Sequence, residues 1–259
     1  MHPDFSLLWL IFGGILSGVL AGFMGIGGGS VMVPLLVVLG YSTVEAVATS
    51  SLAILIISIS GTFQNWRMGF FDLKRVLALG TPAAVMAFVG SQIANFIPSF
   101  WLLVIFGLLM YFNIYLVSLR RGLAQTEGSD QKKWNPTTAR ILTGGVAGMV
   151  AGLVGVGGGV IMVPLQMLLL REAIKVAIQT SLGVVVLTAV FAVIGHAFHG
   201  HVLVIEGLIL GAGGLLGAQF STRFLPKLSD AAVSSIFSIA VALLGSYALF
   251  QAWKAYAGI

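Results

Sequence analysis

The chain has 259 residues, of which 58% are hydrophobic and 8% charged, with a formal net charge of +5 and a mean hydropathy of +1.06. Soluble domains carry about 25% charged residues, so this composition excludes a water-soluble globular class and indicates a polytopic membrane protein. The absence of cysteine excludes disulfides, iron–sulfur clusters and thiol catalysis, and the basic balance fits loops at a membrane surface rather than a nucleic-acid partner.

Ten apolar segments follow one another along the chain, separated by charged residues, glycine and proline. The first half contains segments 5–24, 30–40, 43–64, 75–97 and 100–119. The second half contains segments 137–155, 159–170, 174–196, 202–222 and 231–253. They predict an all-α polytopic membrane protein with two five-segment repeats, residues 1–119 and 137–259, joined by a polar cytoplasmic linker at 120–136. The N-terminus "MHPDF" lacks a basic region, so no cleavable signal peptide is expected.

Several strings of the first half return in the second. "AGFMGIGGGSVMVPLL" (21–36) recurs 130 residues later as "AGLVGVGGGVIMVPLQ" (151–166), "TSSL" (49–52) as "QTSL" (179–182), and "GSQIANFIP" (90–98) as "GAQFSTRFLP" (217–226). An odd number of segments in each repeat predicts that the halves have inverted orientations in the membrane. If both termini lie outside, every Lys and Arg except Lys254 falls on the inner side, as the positive-inside rule requires.

Two of the segments, 30–40 and 159–170, are too short to cross a bilayer. Eleven residues of helix extend about 17 Å, whereas the hydrocarbon core is about 30 Å thick. The glycine-rich stretch before each segment is therefore predicted to lie within the membrane, where irregular backbone survives only if it lines a cavity or is enclosed by protein. The short helices are thus broken off at glycine loops.

Pro34 and Pro164 favour the first turn of a helix, so each short helix is predicted to begin at 30–34 or 160–164. The free N–H groups and positive dipole end of each helix would then face its glycine loop and attract an anion. Inverted symmetry would join the two loops in one central anion site. The alternative, that the glycines only permit close helix packing, remains open at this point.

Small polar residues at matching places of the long helices complete the predicted site, although they could instead bond to their own helices. Asn65 aligns with His196, which either donates to an anion, relays a proton or has no such role. The predicted substrate-binding residues are Gly25, Gly27, Gly28, Gly29, Ser30, Ser50, Ser51, Asn65, Gly155, Gly157, Gly158, Gly159, Gln179, Thr180, Ser181 and His196.

Other kinds of site are not indicated. "HAFHGH" (196–201) has no nearby carboxylate, so no metal is expected. No nucleophile, base and orienting group occur together, so no catalytic residue, enzyme activity or cofactor is predicted. All eight carboxylates fall near segment ends, which leaves no intramembrane carboxylate for a proton relay. Gln92 and Gln219, in matched motifs, are interpreted as packing or gating residues.

The repeated "AGFMGIGGGSVMVP" and "AGLVGVGGGVIMVP", with "ATSSL"/"QTSL" and "GSQ"/"GAQ", resemble the sulfite exporter TauE/SafE family of bacterial membrane permeases. The resemblance maps the family's glycine motif onto 25–29 and 155–159. It implies a multi-pass protein of the bacterial inner membrane that exports sulfite, sulfoacetate or a related organosulfonate, embedded in lipid, by alternating access. An anion channel and, as a more distant alternative, a membrane enzyme or its assembly partner stay open, as does a homodimer.

Overall fold

The computed structural model describes residues 3–125 and 135–257, and within these ranges all regular structure is helical. A short 3-10 turn, Leu225–Lys227, follows the ninth α-helix. The α-helices are α1 (Pro3–Met24), α2 (Gly29–Val38), α3 (Thr43–Arg67), α4 (Leu73–Ala94), α5 (Ser99–Gln125), α6 (Pro136–Val154), α7 (Gly159–Leu169), α8 (Ile174–Ala197), α9 (Val204–Phe224) and α10 (Asp230–Ala257).

The helices confirm the all-α class, and among the described residues six helices are long and apolar enough to cross a membrane: α1, α3, α4, α6, α8 and α9. The helices α2 and α7 have only 10 and 11 residues. Residues 126–134 of the predicted linker 120–136 lie outside the described residues. Before them α5 continues through Gln125, and after them Asn135 caps the start of α6. The organisation into two repeats joined by this linker stays a prediction.

Most helix pairs join one half of the chain to the other. Helix α1 packs against α9, and α6 packs against α4; α3 packs against α9, and α8 against α4. The pairs α3–α8 and α5–α10 are each made of one helix from either half. Exchanging the halves therefore reproduces the same set of pairs.

Glycine at every fourth position lets the α1–α9 and α6–α4 backbones touch. Helix α1 carries Gly14, Gly18 and Gly22 on this face, and α6 carries glycine at 144, 148 and 152. A Cβ on Gly18 would overlap the carbonyl oxygen of Gly214, and one on Gly148 would overlap that of Ala83. Small residues at this spacing are typical of close helix contacts in membranes.

Helix directions follow from these contacts. Gly22 of α1 lies against Thr222 and Gly14 lies against Leu210, so α1 and α9 run parallel. Helix α2 turns back along α1, because Leu35 packs on Gly13. The pair α1–α2 is therefore a hairpin whose turn is the first glycine loop, residues 25–28.

The long helices α3 and α8 run antiparallel through the middle of the molecule, since Gly61 near the end of α3 contacts Leu182 near the start of α8. Helix α3 begins with a capping box in which Ser42 and Glu45 satisfy each other's backbone N–H groups at 3.3 and 3.0 Å. The starts of α3 and α8 are Thr43 and Ile174, and those of α4 and α9 are Leu73 and Val204, a common spacing of 131 residues.

Candidate functional site

Each glycine loop is a tight turn that ends in a left-handed residue. Gly28 (φ 86°) and Gly158 (φ 78°) are the N-caps of α2 and α7, and no side chain caps either helix. An L-residue with a side chain is strained in this conformation, so glycine is required there. Both short helices begin one residue before the predicted range, which places Pro34 and Pro164 inside the helix and not in its first turn.

The two loops lie directly against each other. A Cβ on Gly159 would overlap the carbonyl oxygen of Gly25, and in the same way a Cβ on Gly29 would overlap that of Gly155. Each of these carbonyl oxygens accepts a hydrogen bond from the other half of the chain. Ser181 donates to Gly25 at 2.9 Å, and Ser50 donates to Gly155 at 2.9 Å. The structure thus brings both predicted loops together with two of the predicted hydroxyls.

The loops contact α3 and α8 at mid-length. Gly27 and Gly157 both pack against the side chains of Ile54 and Val185. The hydroxyl of Thr188, which sequence reasoning did not single out, donates to the carbonyl of Gly157 at 3.2 Å. Every one of these residues is buried. In this conformation protein atoms occupy the space beside the glycines, so close packing by itself accounts for their small size, and anion binding stays a prediction.

Three buried serine hydroxyls have no hydrogen-bond partner within the described residues, and two of them lie at the first loop. They belong to Ser17, Ser30 and Ser58, each 0% exposed. Ser17 contacts Gly28 through its backbone, and Ser30 follows that glycine in the first turn of α2. A buried donor without a partner costs about 1–3 kcal/mol, so these hydroxyls are suited to a ligand or a water. Only Ser30 was predicted; the other two are serines inside apolar helices, which is a weak signal.

The remaining predicted polar residues divide between two places on either side of the loops. Asn65, 0% exposed, donates to the carbonyl of Gln179 at 3.5 Å and leaves its own oxygen without a described partner. His196, also 0% exposed, contacts the carbonyl of Gly152 through Nε2 at 3.1 Å at the opposite end of the α3–α8 pair. The hydrogen bonds of these two side chains go to Gln179 and Gly152 and not to a loop residue, and their part in an anion site stays a prediction.

Ser51 and Thr180 are both buried, and Ser51 differs from the neighbouring Ser50 in its hydrogen bonds. Ser51 donates to Val47 of its own helix at 2.9 Å, which is the local bond anticipated as the alternative. Ser50, and not Ser51, corresponds to Ser181, because both donate to a glycine loop of the opposite half. Helix α7 is one residue longer than α2, and this shifts the matching of the following helices from 130 to 131.

The histidines of "HAFHGH" do not converge on a common point. His199 and His201 stack with ring centroids 6.0 Å apart, and His199 contacts Asn95 at 3.2 Å. Within residues 3–125 and 135–257, no three His, Asp or Glu side chains are grouped so that they could hold a metal ion.

Comparison with known proteins assigns the chain to a class of transporters. The model of the family described as "Sulfite exporter TauE/SafE" matches residues 10–248. The chain is similar to the probable membrane transporter proteins YdhB (26% identity, 91% of this chain and 97% of the relative) and YunE (26%, 95% and 98%) of Bacillus subtilis. A probable membrane transporter protein of Xylella fastidiosa is 29% identical over 96% of this chain and 97% of its own length. No solved structure matches the chain.

Proposed function

This chain belongs to the sulfite exporter TauE/SafE family, a family of membrane transporters and not of enzymes, and we propose that it exports a small sulfur-containing anion. The substrate class is sulfite, sulfoacetate or a related organosulfonate. The observation that carries the proposal is the pair of glycine loops, which meet at mid-length of α3 and α8 with a short helix starting from each. Helix N-termini attract anions through their N–H groups and dipoles.

The contact between the loops suggests how the site works. In the described conformation the hydroxyls of Ser50 and Ser181 donate to loop carbonyl oxygens. A sulfite or sulfonate oxygen is an acceptor of the same kind and carries more charge. When the loops separate, these hydroxyls and the starts of α2 and α7 can therefore turn to the anion, which replaces a neutral acceptor with an ionised one. The described conformation is the closed state of this cycle.

Transport would then proceed by alternating access between two inverted halves. The antiparallel course of α3 and α8, together with the exchange of helix pairs between the halves, supports this inversion. Arg67, Arg75, Arg171 and Arg223 all belong to the end where α3 stops and α8 starts. The positive-inside rule places that end in the cytoplasm and both termini outside. An inside-negative potential then drives an anion outward by about 2.3 kcal/mol per charge per 100 mV.

The proposal is tested by flux through proteoliposomes that contain the purified full chain. Sulfite and sulfoacetate should leave the vesicles in a saturable way and should exchange across the membrane in counterflow. Ser50→Ala combined with Ser181→Ala should reduce this flux at least about tenfold. The double variant loses both hydroxyl donors, and even one hydrogen bond to a charged acceptor is worth about 1.5–3 kcal/mol. If neither anion moves, the substrate class is wrong, and if single openings carry resolvable current, the protein is a channel.

Ser221→Ala is the matched control for the serine variants. Its hydroxyl is also buried and donates across a helix interface, to the carbonyl of Gly18 at 3.2 Å, but its acceptors belong to α1 and α9 and not to a glycine loop. It should lose a similar amount of stability while the apparent affinity for the anion stays unchanged. Equal loss of affinity in this control and in the Ser50/Ser181 variant would show that the loop hydroxyls serve packing alone.

A further inference from the structure

A cavity of about 600 Å³ opens between the C-terminal parts of α3 and α9, apart from the glycine loops. Its lining includes Gln64 and Arg67 of α3 and Leu216, Gln219, Phe220 and Arg223 of α9. Both arginines are exposed, and neither forms an ion pair within the described parts of the chain. The polar part of the cavity therefore offers two guanidinium groups, which suit a phosphate oxygen.

A second cavity continues the first along the same two helices. It measures about 310 Å³, shares Gln219 with the first, and is otherwise bounded mainly by Ile56, Ile59, Phe63 and Leu215. Ile59, Phe63 and Leu215 are 51%, 48% and 39% exposed, so this part faces outward from the bundle. Large exposed apolar side chains on a membrane-spanning helix face lipid. The two cavities form one groove, here called the α3–α9 groove, with a cationic end and an apolar remainder.

Aromatic residues mark the cationic end as a membrane–water boundary. Trp66 is 62% exposed beside Arg67, and its ring lies 5.7 Å from that of Phe63. The guanidinium of Arg67 in turn lies over the ring of Phe63, 5.8 Å from its centroid. Tryptophan concentrates at the headgroup level of membranes, where basic side chains also reach the interface.

We propose that the α3–α9 groove binds one anionic phospholipid of the surrounding bilayer. Its phosphate lies between Arg67 and Arg223, and an acyl chain follows Ile59, Phe63 and Leu215. A small soluble anion would leave the apolar part of the groove empty, and a zwitterionic lipid would bring its own cation to the two arginines. A lipid with net negative charge matches both parts.

At the equivalent place between α8 and α4, aromatic side chains stand where the α3–α9 groove has Arg67 and Gln219, so the proposal predicts one lipid for each chain. At the 131-residue spacing, Arg67 corresponds to Phe198 and Gln219 to Phe88. These two phenylalanines pack edge to face with centroids 6.4 Å apart.

Native mass spectrometry of the purified full chain tests the proposal with three probes. These are dioleoyl phosphatidylglycerol, dioleoyl phosphatidylcholine with the same acyl chains, and soluble glycerol phosphate without chains. We expect one tightly bound phosphatidylglycerol and much weaker binding of the other two. Arg67→Gln and Arg223→Gln should each weaken phosphatidylglycerol binding about 5-fold, and the double variant about 30-fold, as expected for removing basic residues near a membrane surface.

Lys74→Gln is the control, because Lys74 is an exposed cation at the start of α4 that does not line the groove. It should keep the parental affinity for phosphatidylglycerol. Equal binding of the two lipids, or equal loss in Lys74→Gln and in the arginine variants, would overturn the headgroup site. Glycerol phosphate binding as tightly as the lipid would show instead a small-anion site, and it would leave the proposal about the glycine loops untouched.

Discussion

The end of α3 and the end of α8 occupy equivalent places in the two halves, but they present opposite chemistry. Beside the end of α3, Arg67 shares an open cavity of about 600 Å³ with Gln219 and Arg223. Beside the end of α8, the same three positions hold Phe198, Phe88 and Gln92 in the 131-residue matching, and the two aromatic rings are in contact. Similar helix pairs thus present an accessible cationic groove between α3 and α9 and an aromatic pair between α8 and α4.

A second pair of matched contacts also differs in the charge of its side chains. Glu172, before α8, lies 3.8 Å from Arg75 at the start of α4. At the 131-residue spacing the corresponding residues are Tyr41 and Glu206, and there the tyrosine hydroxyl donates to the carboxylate at 3.3 Å. The contact is kept, but the carboxylate moves to the other partner and a neutral hydroxyl takes the place of the guanidinium.

Residue type is the same in both halves at positions where close packing constrains it. Where the backbones of the halves touch, as at Gly18 and Gly148 or at Ser50 and Ser181, both halves use the same residue type. At the ends of the long helices, as at Arg67 and Phe198, the matched residues differ. Three experiments with substitutions test this distinction, in order of decreasing effect.

Gly18→Ala and Gly148→Ala should both destabilise the protein strongly and by similar amounts. The added Cβ meets a backbone carbonyl in each case, so no side-chain rotation can relieve the overlap, and we expect a loss of about 3 kcal/mol or more. The measurement is thermal unfolding of the detergent-purified variants, followed by size-exclusion recovery. Gly145→Ala is the control, since its nearest atom would be Cγ of Met86 at 3.8 Å. A loss in only one half would break the equivalence.

Thr49→Val should destabilise the protein by about 1 kcal/mol, the usual net contribution of one hydrogen bond. The hydroxyl of Thr49 accepts the backbone N–H of Leu203, the N-cap of α9, at 3.1 Å. In the other half Asp72 caps α4 locally, at 3.1 Å from the N–H of Arg75. Thr180→Val, at the position equivalent to Thr49, should therefore cost less. Equal losses of stability in the denaturation curves of Thr49→Val and Thr180→Val would show that the two threonines do not differ in this role.

Glu172→Gln should change the pH dependence of stability and have the smallest effect. Burial raises the pKa of Glu172, although Arg75 and Arg140 oppose the rise. The folded protein therefore holds this proton more tightly than the unfolded chain, so stability falls as the pH rises from the ordinary glutamate pKa through the raised one. The glutamine variant should lack this fall and be slightly more stable than the parent at neutral pH. If the stability of the glutamine variant fell more steeply with pH than that of the parent between about pH 4 and pH 7, the raised pKa of Glu172 would be contradicted.

Much of the helical pattern could be predicted because each boundary has a local cause. The start of α3 at Thr43 agrees with the predicted segment, and the capping box of Ser42 and Glu45 explains it. The deep glycine loops followed from the shortness of the segments beginning near residues 30 and 159. Such signals depend on neighbours in sequence, so they can be recognised without the fold.

The contacts between the halves could not be predicted in this way. The matching of "GSQ" with "GAQ" makes Gln92 the counterpart of Gln219. The helix starts instead make Phe88 its counterpart, which lies one helical turn before Gln92. The glycines at every fourth position of α1 and α6 are visible in the sequence, but the sequence does not show which helix each set contacts. The reciprocal bonds of Ser50 and Ser181 depend on how the two halves meet, and no short stretch of sequence contains that information.

The pairing of α1 with α9 has a consequence for the order in which the protein is assembled during its synthesis. Gly18 meets Gly214, which the ribosome adds about 200 residues later, or roughly 10 to 40 seconds at common rates of translation. Throughout that interval the glycine face of α1 enters the bilayer without its final neighbour. A nascent chain stopped before α9 should therefore hold α1 loosely, so that it remains open to proteolysis or to chaperones, and the finished packing arises only near the end of translation.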